Sequence, residues 1–160
     1  MIVYRRILVP IDGSPTSNLG LNEAIKLAKD QGAKLRLFHL VDEFIAVSSS
    51  EGMAFANTDD LLESLRQGGK KIIEKAEALA RRNGLTPESV MLESFGGRAA
   101  DFIVQQANKW RADLIVLGTH GRRGVKRLVM GSDAEQVVRT TRVPVPLVRS
   151  KVTPRRRRKL

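Results

Sequence analysis

A chain of 160 residues with 42% apolar content is long enough for one packed core and short for two. It carries no cysteine, which excludes disulfide staples, thiolate zinc sites and cysteine nucleophiles, and no run approaches the ~20 apolar residues of a membrane span. The formal net charge of +11 points to anionic partners, yet six positive charges (Lys151, Arg155, Arg156, Arg157, Arg158 and Lys159) fall in the last ten residues; removing those six from +11 leaves +5 for the rest. Residues 1–150 therefore read as the folded domain and 151–160 as a basic, solvated tail interrupted by Pro154. The tail can hold nucleic acid or an anionic surface non-specifically through counterion release, and no aromatic residue interleaves its charges to favour a dedicated interface. Met1–Ile11 is too short an apolar run for a signal segment, and together with the absence of cysteine this leads to the expectation of a cytoplasmic protein.

In chain order, Ile7–Ile11 is an apolar run ending at the turn cluster Asp12-Gly13-Ser14, the pattern of a buried strand. Ser14 is placed as a helix N-cap with Pro15 at the first helical position. Leu21, Ala24, Ile25 and Ala28 keep helical spacing, and Gly32 suits the helix end. Leu35–Val41 is the second strand, with Leu35, Leu37, His39 and Val41 on one face and Phe38 and Leu40 on the other. Periodicity fails from Glu43 to Thr58. A long helix then opens at Asp59-Asp60, meets a bend at Gly68-Gly69 and ends at Asn83-Gly84. Ser89–Phe95 predicts a third strand, and the face of Ala100, Ile103, Val104 and Ala107 a helix reaching Trp110. Asp113–Leu117 reads as a central strand, apolar on both faces. A last helix opens at Ser132, and Val143–Val148 is the final strand.

Strands alternating with helices imply right-handed βαβ units and a mostly parallel sheet covered on both sides, a three-layer α/β/α sandwich. In such sheets ligands sit outside the carboxyl ends of the strands. Three of those ends carry chemistry: Asp12-Gly13-Ser14, Leu40-Val41-Asp42 and Gly118-Thr119-His120-Gly121. They are expected to meet in one crevice.

The stretch from Gly118 to Ser132 runs from strand end to helix start. A phosphate needs backbone N–H donors, an approach free of Cβ atoms and positive potential. Gly118, Gly121 and Gly131 supply the approach, Ser132 a hydroxyl and an N–H, and Arg122, Arg123, Lys126 and Arg127 the charge. Ser132-Asp133-Ala134-Glu135 also matches a capping box, with Ser132 as N-cap. The spacing fits neither the P-loop nor the Rossmann fingerprint. On local physics this is a phosphate cradle.

Gly118-x2-Gly121-x9-Gly131-Ser132, after Asp-Leu-Ile-Val-Leu, resembles the ATP-binding signature of the universal stress proteins. Arg6-Ile7-Leu8-Val9-Pro10-Ile11-Asp12-Gly13-Ser14 and Phe38-His39-Leu40-Val41-Asp42 are similar to that family as well, and the resemblance spans roughly residues 3–149. It implies a Rossmann-like sheet of five strands in the order 3-2-1-4-5, a homodimer formed through the C-terminal edge strand, and bound ATP, with a divalent cation such as Mg2+ on its phosphates. By the same resemblance Pro10 and Asp12 lie at the adenine and ribose end, and Leu40 packs against the adenine. Leu117 and Gly118 pass the nucleoside, while Gly121, Gly131 and Ser132 hold the phosphates; Arg122 joins the candidate site for its charge. Two residues depart from the family pattern. Asp133 stands at a usually apolar position, and Pro146 removes a donor from the edge strand.

The preferred reading is a nucleotide-responsive regulator in the stress response, acting through an unidentified protein partner. The alternatives are a slow ATPase or nucleotidyl-transfer enzyme, and a weak nucleic-acid or anionic-surface binder acting through the tail. His120 is read as structural, His39 as a half-buried strand residue and Asp12 with Ser14 as a turn and cap, so no catalytic residue is assigned. Neither histidine has ligand spacing, so no protein metal site is expected.

Overall fold

The computed structural model describes residues 3–44, 58–119 and 130–149. In chain order these form β1 (Arg6–Pro10), α1 (Pro15–Gln31), β2 (Lys34–Asp42), α2 (Thr58–Arg82), β3 (Glu88–Ser94), α3 (Ala99–Trp110), β4 (Leu114–Ile115), β5 (Leu117–Gly118), α4 (Ser132–Thr140) and β6 (Leu147–Val148). His120, Gly121, Arg122 and the basic tail lie outside the described residues.

The period of two along each strand decides the layers. Ile7, Val9, Leu35, Leu37, Leu114 and Val116 point to one side, where Leu21, Ala24, Ile25 and Ala28 of α1 and Ala76 and Ala80 of α2 cover them. Leu8, Phe38, Ile115 and Leu117 point to the other, under Ala100, Ile103 and Ala107 of α3 and Ala134 and Val137 of α4. Both faces of β1 and β4 are therefore buried, as a parallel sheet requires. The α/β sandwich expected from the alternation is the observed fold.

The sheet runs β3-β2-β1-β4, all parallel, and β5 pairs with β6 as a separate parallel ribbon. This differs from five full strands. The chain from Asp113 to Thr119 nevertheless bonds on both sides: Val116 N–H donates to Leu8, whereas Ile115, Leu117 and Thr119 donate to Pro144, Pro146 and Val148. The ribbon thus continues the sheet in the order expected.

Prolines explain why only Leu147–Val148 qualifies as strand where Val143–Val148 was predicted. Pro144 and Pro146 accept from β4 and β5 through their carbonyls but have no N–H to return, so two rungs of the ladder are missing. The same geometry corrects the expectation for Pro146. Within a strand the N–H and C=O of one residue face the same side, so the missing donor faces inward. Val145 and Leu147 alternate with the prolines and hold the N–H groups of the outer edge.

Two local readings hold and two are corrected. Ser14 Oγ accepts from Ser17 N–H at 3.2 Å with Pro15 at the helix start, and Gly32 closes α1 at φ 63°. Gly68-Gly69 does not interrupt α2, which is assigned unbroken from Thr58 to Arg82. A Cβ on Gly69 would stand 2.9 Å from His39 Cδ2 and 3.1 Å from Met91 Sδ, so this glycine lets the helix settle on β2 and β3. His39, expected half-buried, is buried beneath that contact, and its Nδ1 lies 2.7 Å from the Ile11 carbonyl.

Candidate functional site

The carboxyl ends of β1, β2 and β5 open on the same end of the sheet because the strands are parallel. The first connection is tightly knit. Past Pro10, Ile11 N–H donates to the Phe38 carbonyl at 2.8 Å. Asp12 Oδ1 accepts from Ser14 N–H at 2.9 Å, while Asp12 N–H donates to Ser17 Oγ at 3.1 Å. Ser14 and Ser17 are buried. Much of the polar chemistry of this turn is thus spent on holding the turn itself.

The end of β5 is fastened to that turn. A Cβ on Gly118 would lie 2.6 Å from both C and O of Thr16 and 2.8 Å from Ser17 N, so no side chain fits there. From the other side, a Cβ on Gly20 would come within 3.1 Å of Gly118 N. Two glycines on facing elements therefore let the first turn of α1 lie against the strand that launches the glycine-rich connection. Leu117 turns its side chain into the core, and Leu40 is half-buried against the same cluster, which also receives Met130.

The connection from β5 to α4 is closed at its base. Thr119, buried at the strand end, donates its N–H to Val148, and its carbonyl accepts Gly131 N–H at 2.8 Å. The chain that leaves at Thr119 thus returns to the same point before entering α4. Gly118 therefore lies against the first turn of α1, and Gly131 meets the end of β5 at Thr119. Gly121 and Arg122 lie outside the described residues.

Ser132 is not the N-cap. Gly131 holds that position at φ −60° and ψ 146°, no side chain caps the helix, and Glu135 N–H bonds to the Gly131 carbonyl. The capping box fails because the Thr119 contact fixes the chain one residue earlier than the pattern requires. Glu135 pairs with Arg139 instead. The consequence is chemical: the first turn of α4 keeps N–H donors that no side chain among the described residues claims. Asp133 is exposed in that turn.

Beside this end, Arg66 of α2 bridges Glu43 and Glu93, each at 3.0 Å. The hydrogen bond that Arg66 donates to Glu93 raises the guanidinium pKa above its ordinary value against partial desolvation, and Glu43 adds to it. Glu43 is fully buried, and its Oε2 has no hydrogen-bond partner among the described residues. Sequence reading missed this bridge, Thr119 and Gly20, because each acts through a partner distant in the chain. Among the described residues no three His, Asp or Glu side chains gather as a metal site, and no helix is long and apolar enough to cross a membrane.

This architecture has relatives. The family model for the universal stress protein family matches residues 3–149. The chain belongs to the universal stress protein family. Universal stress protein MJ0531 of Methanocaldococcus jannaschii is 34% identical over 148 residues, covering 92% of this chain and 83% of that one. Universal stress protein YxiE of Bacillus subtilis is 31% identical, over 92% of this chain and 100% of its own length. Among solved structures, hypothetical protein MJ0577 superposes with a TM-score of 0.79 at 23% identity, covering 94% and 99% of the two chains. Two members of the family have been solved as complexes. One holds cAMP (TM-score 0.62, 22% identity, 92% and 98% coverage), and one from Archaeoglobus fulgidus holds dAMP (0.61, 23%, 92% and 99%). At that identity the likeness to this universal stress protein is one of fold.

Proposed function

We propose that this universal stress protein binds an adenine nucleotide, with ATP as the preferred ligand, at the carboxyl end of its sheet, and acts as a nucleotide-responsive regulator. The observation that carries the proposal is the Gly131–Thr119 closure, which delivers an uncapped helix start beside a strand end where Gly118 admits no side chain. Gly131 spends its own N–H on Thr119, so it serves the phosphates by lacking a Cβ. The donors come from the N–H groups of Ser132 and Asp133, at the positive end of the α4 dipole. Gly121 and Arg122 complete the phosphate end, and Pro10, Asp12, Leu40 and Leu117 border the nucleoside. A divalent cation, carried as Mg2+ on the phosphates, would take most of its ligands from phosphate oxygen and water. Complexes of family members with cAMP and dAMP support the adenine preference.

The proposal includes a cytoplasmic homodimer paired through the outer edge of β6, where Leu147 and, on α4, Val138 are exposed. Nucleotide occupancy would bias what that dimer presents to a protein partner.

The test is titration of ATP, ADP and AMP against the wild type and Gly131→Ala, after identifying any nucleotide that co-purifies. Alanine accepts φ −60°, so the variant should fold as the wild type does. Its ATP affinity should fall at least tenfold. A wild type that fails to bind millimolar ATP overturns the proposal. Unchanged affinity in Gly131→Ala removes the role given to Gly131.

A further inference from the structure

The opposite end of the sheet, where the strands begin, is basic for two separable reasons. Each helix ends there, and each has cations in its last turn: Lys29, Arg81 with Arg82, Lys109 and Arg139. Those charges answer the negative ends of the helix dipoles. Arg5, Arg6 and Lys34 have no such purpose, since they stand at the starts of strands.

These three cations and Gly32 line an open cavity of about 420 Å³, with no carboxylate in its wall. None of the three forms an ion pair among the described residues. Asp113 is engaged by the backbone: its Oδ2 accepts Arg5 N–H at 2.9 Å, and its Oδ1 accepts Arg6 N–H at 3.0 Å. Asp113 therefore fixes the backbone beneath the cations.

The surroundings fix the backbone that carries these side chains and orient one of them. Lys34 N–H donates to the Arg5 carbonyl at 2.9 Å, which locks the two strand starts side by side. The Arg6 guanidinium donates to the Trp110 carbonyl at 3.1 Å, which orients it. Gly32 leaves open space where a Cβ would stand. Three cationic residues borne on neighbouring strand starts repel one another, and a bound anion relieves that repulsion.

We propose that this basal cavity is a second anion site, which takes a phosphoryl group. Arginine matches phosphate oxygens with its planar fork and lysine adds a point charge. The site is independent of the nucleotide reading. It lies at the other end of β1, and Arg6 to Pro10 alone spans about 13 Å.

The probe is inorganic phosphate, titrated calorimetrically and by melting temperature at constant ionic strength against chloride. The wild type should show saturable binding that survives with the other end filled by ATP, and a rise in melting temperature beyond that in chloride. Arg5→Gln with Lys34→Gln, both at exposed side chains, should weaken phosphate at least fivefold with unchanged circular dichroism. Gly131→Ala should bind phosphate at this site as the wild type does. A deoxythymidine 12-mer as competitor separates the sources. Displacement of phosphate assigns the cavity to phosphodiester backbones, and its absence to free phosphate or a monoester. Equal phosphate affinity in the double variant overturns the proposal, as does loss of binding in Gly131→Ala, which would place the phosphate at the other end.

Discussion

Two connections leave the same end of the sheet and use similar residues to different ends. The turn from β1 to α1 spends its serines and aspartate on itself: Asp12 on Ser14, Ser14 on Ser17, and Ser17 back on Asp12. The connection from β5 to α4 is tied at its base, Thr119 to Gly131, and its helix starts with no side-chain cap among the described residues. Polar groups engaged by their own turn cannot also hold a ligand at full strength, whereas unclaimed N–H donors at a helix start can. The first connection is thus the wall of the site and the second its working part. Gly118 joins them, since its missing side chain lets the wall lie against the strand that launches the other.

That division can be broken at three points of decreasing effect. Gly118→Ala drives a Cβ into the backbone of Thr16 and Ser17, which cannot yield as a flexible side chain would. The expected cost is about 3 kcal/mol or more, a fall of roughly 9 °C in melting temperature, read by thermal denaturation. A variant as stable as the wild type would show that the two connections are not in contact. Ser14→Ala removes a buried cap and should cost about 1–2 kcal/mol in urea denaturation. Nucleotide affinity should change little in the folded protein, because that serine belongs to the wall. Gly131→Ser supplies the cap that α4 lacks and should move stability by only a few tenths of a kcal/mol. It should weaken ATP at least tenfold in calorimetry by placing a side chain and a competing acceptor at the helix start. Retained ATP affinity there would remove the distinction between wall and working part.

Much of this arrangement was legible beforehand, and the failures share a cause. The strands, the Ser14 cap, Pro15 and the Gly32 terminus follow from interactions within a few residues, which sequence displays directly. The strand faces also held, as Leu35 and Leu37 fall in one core cluster and Phe38 in the other. Gly69 was read as a bend because a helix interior gives a lone glycine no other local reason. Its reason is His39 on another element. Ser132 matched a capping box, but Thr119 fixes the chain at Gly131 and moves the helix start by one residue. Pro146 was read as weakening an outer edge, yet its orientation depends on which side of β6 meets β5.

The sequence by itself determined the layered α/β order, the family, and the stretch where a phosphate could be received, because periodicity, caps and glycine spacing are local properties. Only the tertiary structure decided which groups remain free to act. Asp12 is drawn into its turn, Gly131 loses its N–H to Thr119, and Arg5 meets Lys34 across 29 positions to form a charged cavity. Availability is a matter of what lies within hydrogen-bond distance, and in a parallel sheet those neighbours come from strands and helices far apart in the chain.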